Sequence, residues 1–314
     1  MLKYLVIMLD DTATSFCHYD AGVAERHPIA TDDLRAAIVF AMKQNLSIQF
    51  VYPGYRLPAA YDELVESIDH VKIKPLSCHD GADVVVAEGI GTAVDALPDG
   101  AKACVVRTSL SDFMAGAARL ASLFDRVERV NVTFSDVTGF DDGMADAYHS
   151  ALASLVPPLA ALYATGRAPQ LNLLTDRMML DAMNNCNAGW ESLTVAPNGH
   201  FYVCPAFYHD DPSDDLGSVA AGLSVRNPQL YRLDHAPICR GCDAYHCKRC
   251  IWLNCRATLE VNTPGHRQCV MAHIERNVSA QLLAAIREKQ PGFLPGRELG
   301  VTDCLDPFDK LKEL

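Results

Sequence analysis

The chain has 314 residues, a mass of 34.3 kDa, 49% hydrophobic residues and a formal charge of −12. That length allows two domains around a large core, and an acidic balance with no basic half argues against non-specific adhesion to nucleic acid or to an anionic membrane surface. The opening MLKYLVIMLDD reads as a buried strand and not as a secretion signal, and the longest apolar stretch, Ala151 to Ala164, is broken by Pro157 and Pro158 and is too short for a membrane span, so a reducing cytoplasmic setting is expected.

From residue 1 to about 180, short β-rich runs alternate with amphipathic stretches. Tyr4–Leu9, Ser47–Tyr52, Val71–Ile73, Asp83–Val86, Cys104–Arg107 and Arg129–Phe134 read as strands. The window Thr31–Asn45 reads as a helix, with Thr31 as N-cap, Asp32 and Asp33 in the first turn, and Leu34, Ile38 and Met42 on one face. A second helix is expected from Ser109, where Asp112 completes a capping-box spacing, and it runs through Met114, Leu120, Leu123 and Phe124. Such alternation argues for parallel βα units. Without the fingerprint G-x-G-x-x-G, a partial or complete parallel barrel fits better than a dinucleotide-binding sheet, and Gly89-Ile90-Gly91 reads as a turn.

After Pro169 the character changes. Pro197-Asn198-Gly199 between Leu193–Val195 and His200–Val203 signals a hairpin. A second domain is expected from about Asn184 to residue 290, with an irregular loop from Cys239 to about Cys255, a helix around Val278–Glu288 and a tail over 291–314.

Eight of the twelve cysteines fall in this second region: Cys186, Cys204, Cys239, Cys242, Cys247, Cys250, Cys255 and Cys269. Six of them form the run C-x2-C-x4-C-x2-C-x4-C-x13-C. In a reducing compartment crowded thiolates point to metal and not to disulfides. Four satisfy a structural zinc or a four-iron cluster, so eight suggest two sites, though one site with spare thiols is also allowed. Pairs this close are denser than in most zinc ribbons, which favours iron–sulfur and leaves zinc as the alternative. His246 and His266, beside these cysteines, could each replace a thiolate, but as supporting donors or solvated groups they fit eight available thiolates better. Arg240, Lys248, Arg249 and Arg256 form a basic patch around the cysteines, which would offset the charge of a dianionic cluster. Cys17, Cys78, Cys104 and Cys304 are isolated and read as buried or unligated thiols, with Cys17 and its neighbour His18 the pair to watch near a barrel mouth. Asp210, Asp211, Asp214 and Asp215 lack the spacing of a calcium loop and read as an acidic turn, and Asp10 and Asp11 end the first strand, where a turn or cap role is expected.

Cys186, Gly199-x4-Cys204, Leu216-Gly217-Ser218-Val219, the cysteine-dense loop and Cys269 resemble the SPASM domain that follows the barrel in peptide-modifying radical SAM enzymes. That domain carries two auxiliary four-iron clusters, and its pattern C-x9-15-G-x4-C, then C-x2-C-x5-C-x3-C, then C is met here with shorter internal spacings and an additional Cys255. The resemblance implies Cys239, Cys242, Cys247 and Cys269 on one [4Fe-4S] cluster, and Cys186, Cys204, Cys250 and Cys255 on the other. A radical SAM enzyme also needs C-x3-C-x2-C after its first strand, and here Asp10, Thr14 and Cys17 stand at those positions. Its glycine-rich segment after the second strand is replaced by Pro53-Gly54-Tyr55.

MLDD and CHYD near the start, with CDAYHCKRC, LEVNTPGHRQC and HIERN near the end, resemble the CXXX repeat peptide maturase family. The resemblance implies a radical-SAM-like partial parallel (β/α) barrel over 1–183, a SPASM-type α+β domain over 184–290, and no S-adenosylmethionine chemistry of its own. The implied role is an auxiliary maturase for a ribosomally made cysteine-repeat peptide, working beside a partner radical SAM enzyme. An independent metal-dependent oxidoreductase and a zinc-stabilised interaction module are the alternatives, and no acid–base pair or nucleophile in the sequence decides among them.

Overall fold

A computed structural model describes residues 2–14, 16–17, 25–184, 186–247 and 249–300. His18, Lys248 and Cys304 lie outside the described residues. The chain divides into two compact units, residues 1–86 with 186–235 and residues 87–185 with 236–314.

The first half of the chain alternates strand and helix as its pattern predicts: β1 (Tyr4–Met8), α1 (Thr31–Gln44), β2 (Ser47–Val51), α2 (Ala59–Val65), β3 (His70–Pro75), β4 (Val84–Glu88), α3 (Ile90–Ala96), β5 (Ala103–Thr108), α4 (Leu110–Gly116) and β6 (Arg129–Phe134). There follow α5 (Ala145–Ala153), α6 (Val156–Ala164), β7 (Gln170–Leu171), α7 (Thr175–Met179), β8 (Ser192–Val195), β9 (Phe201–Tyr202), α8 (Pro205–Asp210), β10 (Gly217–Ser218), β11 (Gly222–Leu223), α9 (Ile251–Thr258) and α10 (His266–Lys289). Strand order in the main sheet is β7-β6-β5-β4-β3-β2-β1-β8-β9, the α/β, largely parallel arrangement expected.

In the first unit β1 lies between β2 and β8, parallel to both, with Leu5 opposite Ile48 and Leu193. Leu5, Ile7, Met8 and Leu9 are fully buried, because a strand covered on both faces needs apolar side chains at successive positions. The Asn-Gly hairpin forms: β8 and β9 pair antiparallel with Val195 opposite Phe201, and Gly199 takes φ +76°. Gly217 in β10 is required for two reasons, a φ of +98° and a Cβ position only 2.2 Å from the Gly222 carbonyl oxygen. Helix α1 buries Leu34, Ala37, Ile38 and Ala41. Two details of its sequence reading change. The N-cap is Ala30, with Thr31 already helical, and Met42 is 61% exposed, since a straight 3.6-residue repeat carries every fourth residue gradually off the buried face.

In the second unit Ser109 caps α4 by accepting the Asp112 backbone N–H at 3.0 Å, as its spacing predicts. Pro157 and Pro158 sit in the first turn of α6, where the missing N–H groups cost no helical bond. Helix α10 packs on α5, α6 and α7 and buries Val278, Leu282, Leu283 and Ile286. It begins twelve residues earlier than the apolar pattern suggests, at His266 and not at Val278. Its first half buries His273, Glu275 and Arg276 among Val270, Met271 and Ile274, and these polar members interrupt the hydrophobic repeat. The irregular cysteine loop likewise stops short, because α9 begins at Ile251 and carries Cys255.

Candidate metal centre

Loop and helix meet in the second unit. Among the described residues from Ile238 to Arg249 the regular structure is a single 3₁₀ turn at Cys239–Gly241, so side chains and not a ladder fix its path. Facing it, α10 presents Cys269, His273 and Arg276 at successive turns of one face. Cys239, Cys242, Cys247 and Cys269 all line one cavity, together with Ile238, Ala244, Pro264, Ala272, Arg249 and His273. The void among them is small, about 20 Å³, room for one water.

The thiols of this cavity are unlike ordinary cysteines. Burial pushes Cys239 up to about 11 and Cys247 up to about 12, and raises Cys242 as well. Opposing these shifts are the Arg249 guanidinium at Cys239, and the Ala244 backbone N–H, Arg276 and Arg177 at Cys242. A bound cation reverses the penalty, because the thiolate is then neutralised by the metal.

Buried charge surrounds the cavity. Asp243 bridges two arginines, with Arg276 Nη1 at 2.6 Å and Arg177 Nη2 at 3.7 Å, and Arg177 lies over the Tyr245 ring at 4.3 Å. Burial works against the Asp243 charge, but Arg276 and Arg177 outweigh it and hold the carboxyl below its usual range. On the other side of the loop, His246 Nε2 lies 2.9 Å from Glu275 Oε2, and Tyr148 donates its hydroxyl to Glu275 Oε1 at 2.5 Å. Tyr148 is fully buried against Phe113, Phe134 and Phe140, with ring centroids 5.7 to 5.9 Å apart. The cysteine loop is thus tied to α10 by the Asp243–Arg276 ion pair and the His246–Glu275 contact, and α5 joins through the Tyr148 hydroxyl.

Of the expected basic patch, Arg249 is buried at the cavity wall, whereas Arg240 and Arg256 are exposed. His246 serves as a supporting partner of Glu275, and His266 lies 3.2 Å from Asp142. Asp243, His273, Glu275 and Arg276 were not singled out by sequence reasoning as site residues. A histidine four residues after Cys269 and an aspartate directly after Cys242 are the signals available for two of them.

The other four clustered cysteines occupy different places. Cys186 and Cys204 belong to the first unit, Cys186 exposed and Cys204 half-buried as the N-cap of α8. Cys250 caps α9 and Cys255 lies within it, both half-buried in the second unit. Cys104 is a buried thiol in β5, raised to about 12 by its burial.

At the end of β1, Asp10 is fully buried and is committed to structure. Its Oδ1 accepts the Thr12 backbone N–H and hydroxyl at 2.9 and 2.5 Å, and its Oδ2 accepts the Tyr55 hydroxyl at 2.7 Å. Asp11 accepts the Tyr208 hydroxyl at 2.5 Å and lies 3.6 Å from His27. The turn role expected of this pair is met by Asp10. The acidic turn around Pro212 also forms, with Asp211 accepting both the Ser213 backbone N–H and hydroxyl, and Asp215 the Gly217 N–H.

Compared by sequence, the chain matches no family model and no curated protein. Compared by fold, it matches several solved structures. Native anSMEcpe with bound AdoMet and Cp18Cys peptide aligns with TM-score 0.63 and 11% identity over 92% of this chain and 100% of that chain. Native anSMEcpe with bound AdoMet aligns with TM-score 0.61 and 10% identity over 91% and 99%. The form with Kp18Cys peptide gives 0.59 at 10% identity over the same shares. At such identities the likeness is one of fold, and it extends over nearly the whole chain. Among the described residues no helix is long and apolar enough to cross a membrane.

Proposed function

We propose that this chain is an auxiliary maturase: a radical-SAM-like protein that binds iron–sulfur clusters and assists a partner radical SAM enzyme in modifying a ribosomally made cysteine-repeat peptide. The observation that carries this reading is the combination of four cysteines on one cavity with a first strand whose end is built for structure and not for a cluster. Cys239, Cys242, Cys247 and Cys269 would hold one four-iron cluster within a SPASM-type region spanning 184–290, and Cys186, Cys204, Cys250 and Cys255 are the further candidate ligands. When bound, such a cluster supplies one-electron chemistry and a rigid, anionic cross-link.

Two features favour iron–sulfur over zinc. Among the described residues no three cysteine sulfurs lie within 4.8 Å of one another, whereas a single tetrahedral zinc at about 2.3 Å from each thiolate requires sulfurs roughly 3.8 Å apart. A cube places each thiolate on a different corner and so accepts wider spacing. Two buried arginines, Arg177 and Arg276, share one half-exposed carboxylate, Asp243, and Arg249 adds a further cation at the cavity wall. This environment suits a dianionic occupant.

A peptide substrate is supported by fold likeness to a protein solved with bound peptides, and an auxiliary role by the residues at the front site. Asp10 has both oxygens occupied, so it offers no ligand at the position of the first missing cysteine. Calorimetry and pull-down with a purified cysteine-repeat precursor and its radical SAM enzyme test the role. Binding to either, weakened by chelation, is expected; conversion of a small molecule by the isolated protein without binding to either partner would replace this reading with that of an independent oxidoreductase.

A further inference from the structure

The four thiols of the cavity are not equivalent. Cys242 Sγ accepts the Ala244 backbone N–H at 3.4 Å and has His273 Nε2 at 3.5 Å, within the distance of a hydrogen bond to sulfur. His273 is 5% exposed and sits on α10 one turn beyond Cys269, so helix geometry carries a cavity cysteine and this imidazole on the same face. It also lines the cavity itself. Beside it, Cys242 Sγ, an Asp243 oxygen and a His273 nitrogen all fall within 4.8 Å of one another, and Asp243 is held in turn by Arg276 and Arg177.

A metal-bound thiolate has lone pairs but no proton, so it can only accept. An imidazole at that distance therefore satisfies both groups when Nε2 carries the hydrogen. Withdrawing electron density from one sulfur stabilises the reduced, more negative cluster more than the oxidised one, and so raises its potential.

We propose that His273 is a positioning residue for the cluster ligated by Cys242: it donates its Nε2 hydrogen to that thiolate and sets the cluster's reduction potential above that of an otherwise identical site. The proposal rests on the iron–sulfur reading given above. It makes this centre one tuned for electron transfer, distinct from one that only staples the loop to α10, since a purely structural metal needs no such donor aimed at one ligand.

The test is a redox titration followed by electron paramagnetic resonance on the full chain purified without oxygen, comparing wild type, His273→Phe and His273→Gln. Iron and sulfide contents should be equal in all three. The phenylalanine variant should shift the midpoint of one cluster signal to more negative potential, and glutamine, whose terminal amide reaches the position of Nε2, should restore it. Resonance Raman should show the Fe–S(Cys) stretch rising in His273→Phe alone, as loss of a hydrogen bond to sulfur strengthens the bond to iron. Equal midpoints with full iron content would overturn the proposal, as would equal shifts in both variants, which would report packing. Loss of iron from His273→Phe with retention in His273→Gln would make His273 a prop for the site and would equally refute the tuning role. Colourless protein with stoichiometric zinc would instead overturn the iron–sulfur reading itself, and the inference with it.

Discussion

Tyr148→Phe isolates one link in the brace that holds the cysteine loop. The hydroxyl donates to Glu275 Oε1 at 2.5 Å, and the other carboxylate oxygen faces His246, which immediately precedes Cys247. Phenylalanine keeps the ring and its contacts with Phe113, Phe134 and Phe140, so the lost energy belongs to the hydroxyl. Tyr148 is 0% and Glu275 8% exposed, so no bulk water replaces the missing donor. A hydrogen bond to a charged group contributes about 1.5–3 kcal/mol, and stranding a buried acceptor places the cost in the upper half of that range, about 2–3 kcal/mol. The chain has two tryptophans, Trp190 in the first unit and Trp252 in α9 of the second. In a Trp190→Phe background, urea unfolding followed by fluorescence therefore reports the second unit. The midpoint should fall with m unchanged. A loss below about 0.5 kcal/mol would show that the carboxylate finds equal company without Tyr148, and the buried-brace argument would be wrong.

The pH dependence follows from the buried thiols. In the unfolded chain a cysteine titrates near about 8.5, whereas burial raises Cys247 and Cys104 to about 12 in the fold. The folded state then binds more protons, so their contribution to stability is complete below about pH 8.5 and is lost as pH rises toward about 12. Chelated protein should therefore lose melting temperature steeply between these limits, while metal-loaded protein, with Cys247 already deprotonated by its ligand, should lose less; parallel curves would contradict this. Reductive cleavage of S-adenosylmethionine should be absent, because Asp10 is fully engaged with Thr12 and Tyr55. Incubation with dithionite should yield no 5′-deoxyadenosine above a protein-free blank, and multiple turnovers would show that other groups hold a cluster there.

The sheet was legible because its strands are short apolar runs separated by helices and turns, and Arg129–Phe134 was read to the residue. The hairpin was legible because Asn-Gly supplies the positive φ that its turn demands. The braces of the site were not. His273, Glu275 and Arg276 look like a solvated stretch of helix, yet each is nearly buried, since partners distant in sequence, Cys242, His246 and Asp243, replace the water they lose. Asp243 pairs with Arg177 from the opposite side of the cysteine-rich region, and no local spacing announces a contact of that range. Cysteine spacing pointed to the region where Cys239, Cys242, Cys247 and Cys269 line one cavity, whereas the helical placement of Cys255 depends on α9, whose start at Ile251 follows directly on Cys250.

Metal and sulfide analysis of protein purified without oxygen tests the central claim most directly. The account predicts a brown protein with iron and acid-labile sulfide in equal amounts, near eight of each per chain for two four-iron clusters, of which Cys247→Ala should remove one cluster and Cys204→Ala the other. Colourless protein carrying zinc, or loss of all iron from either single substitution, would contradict it.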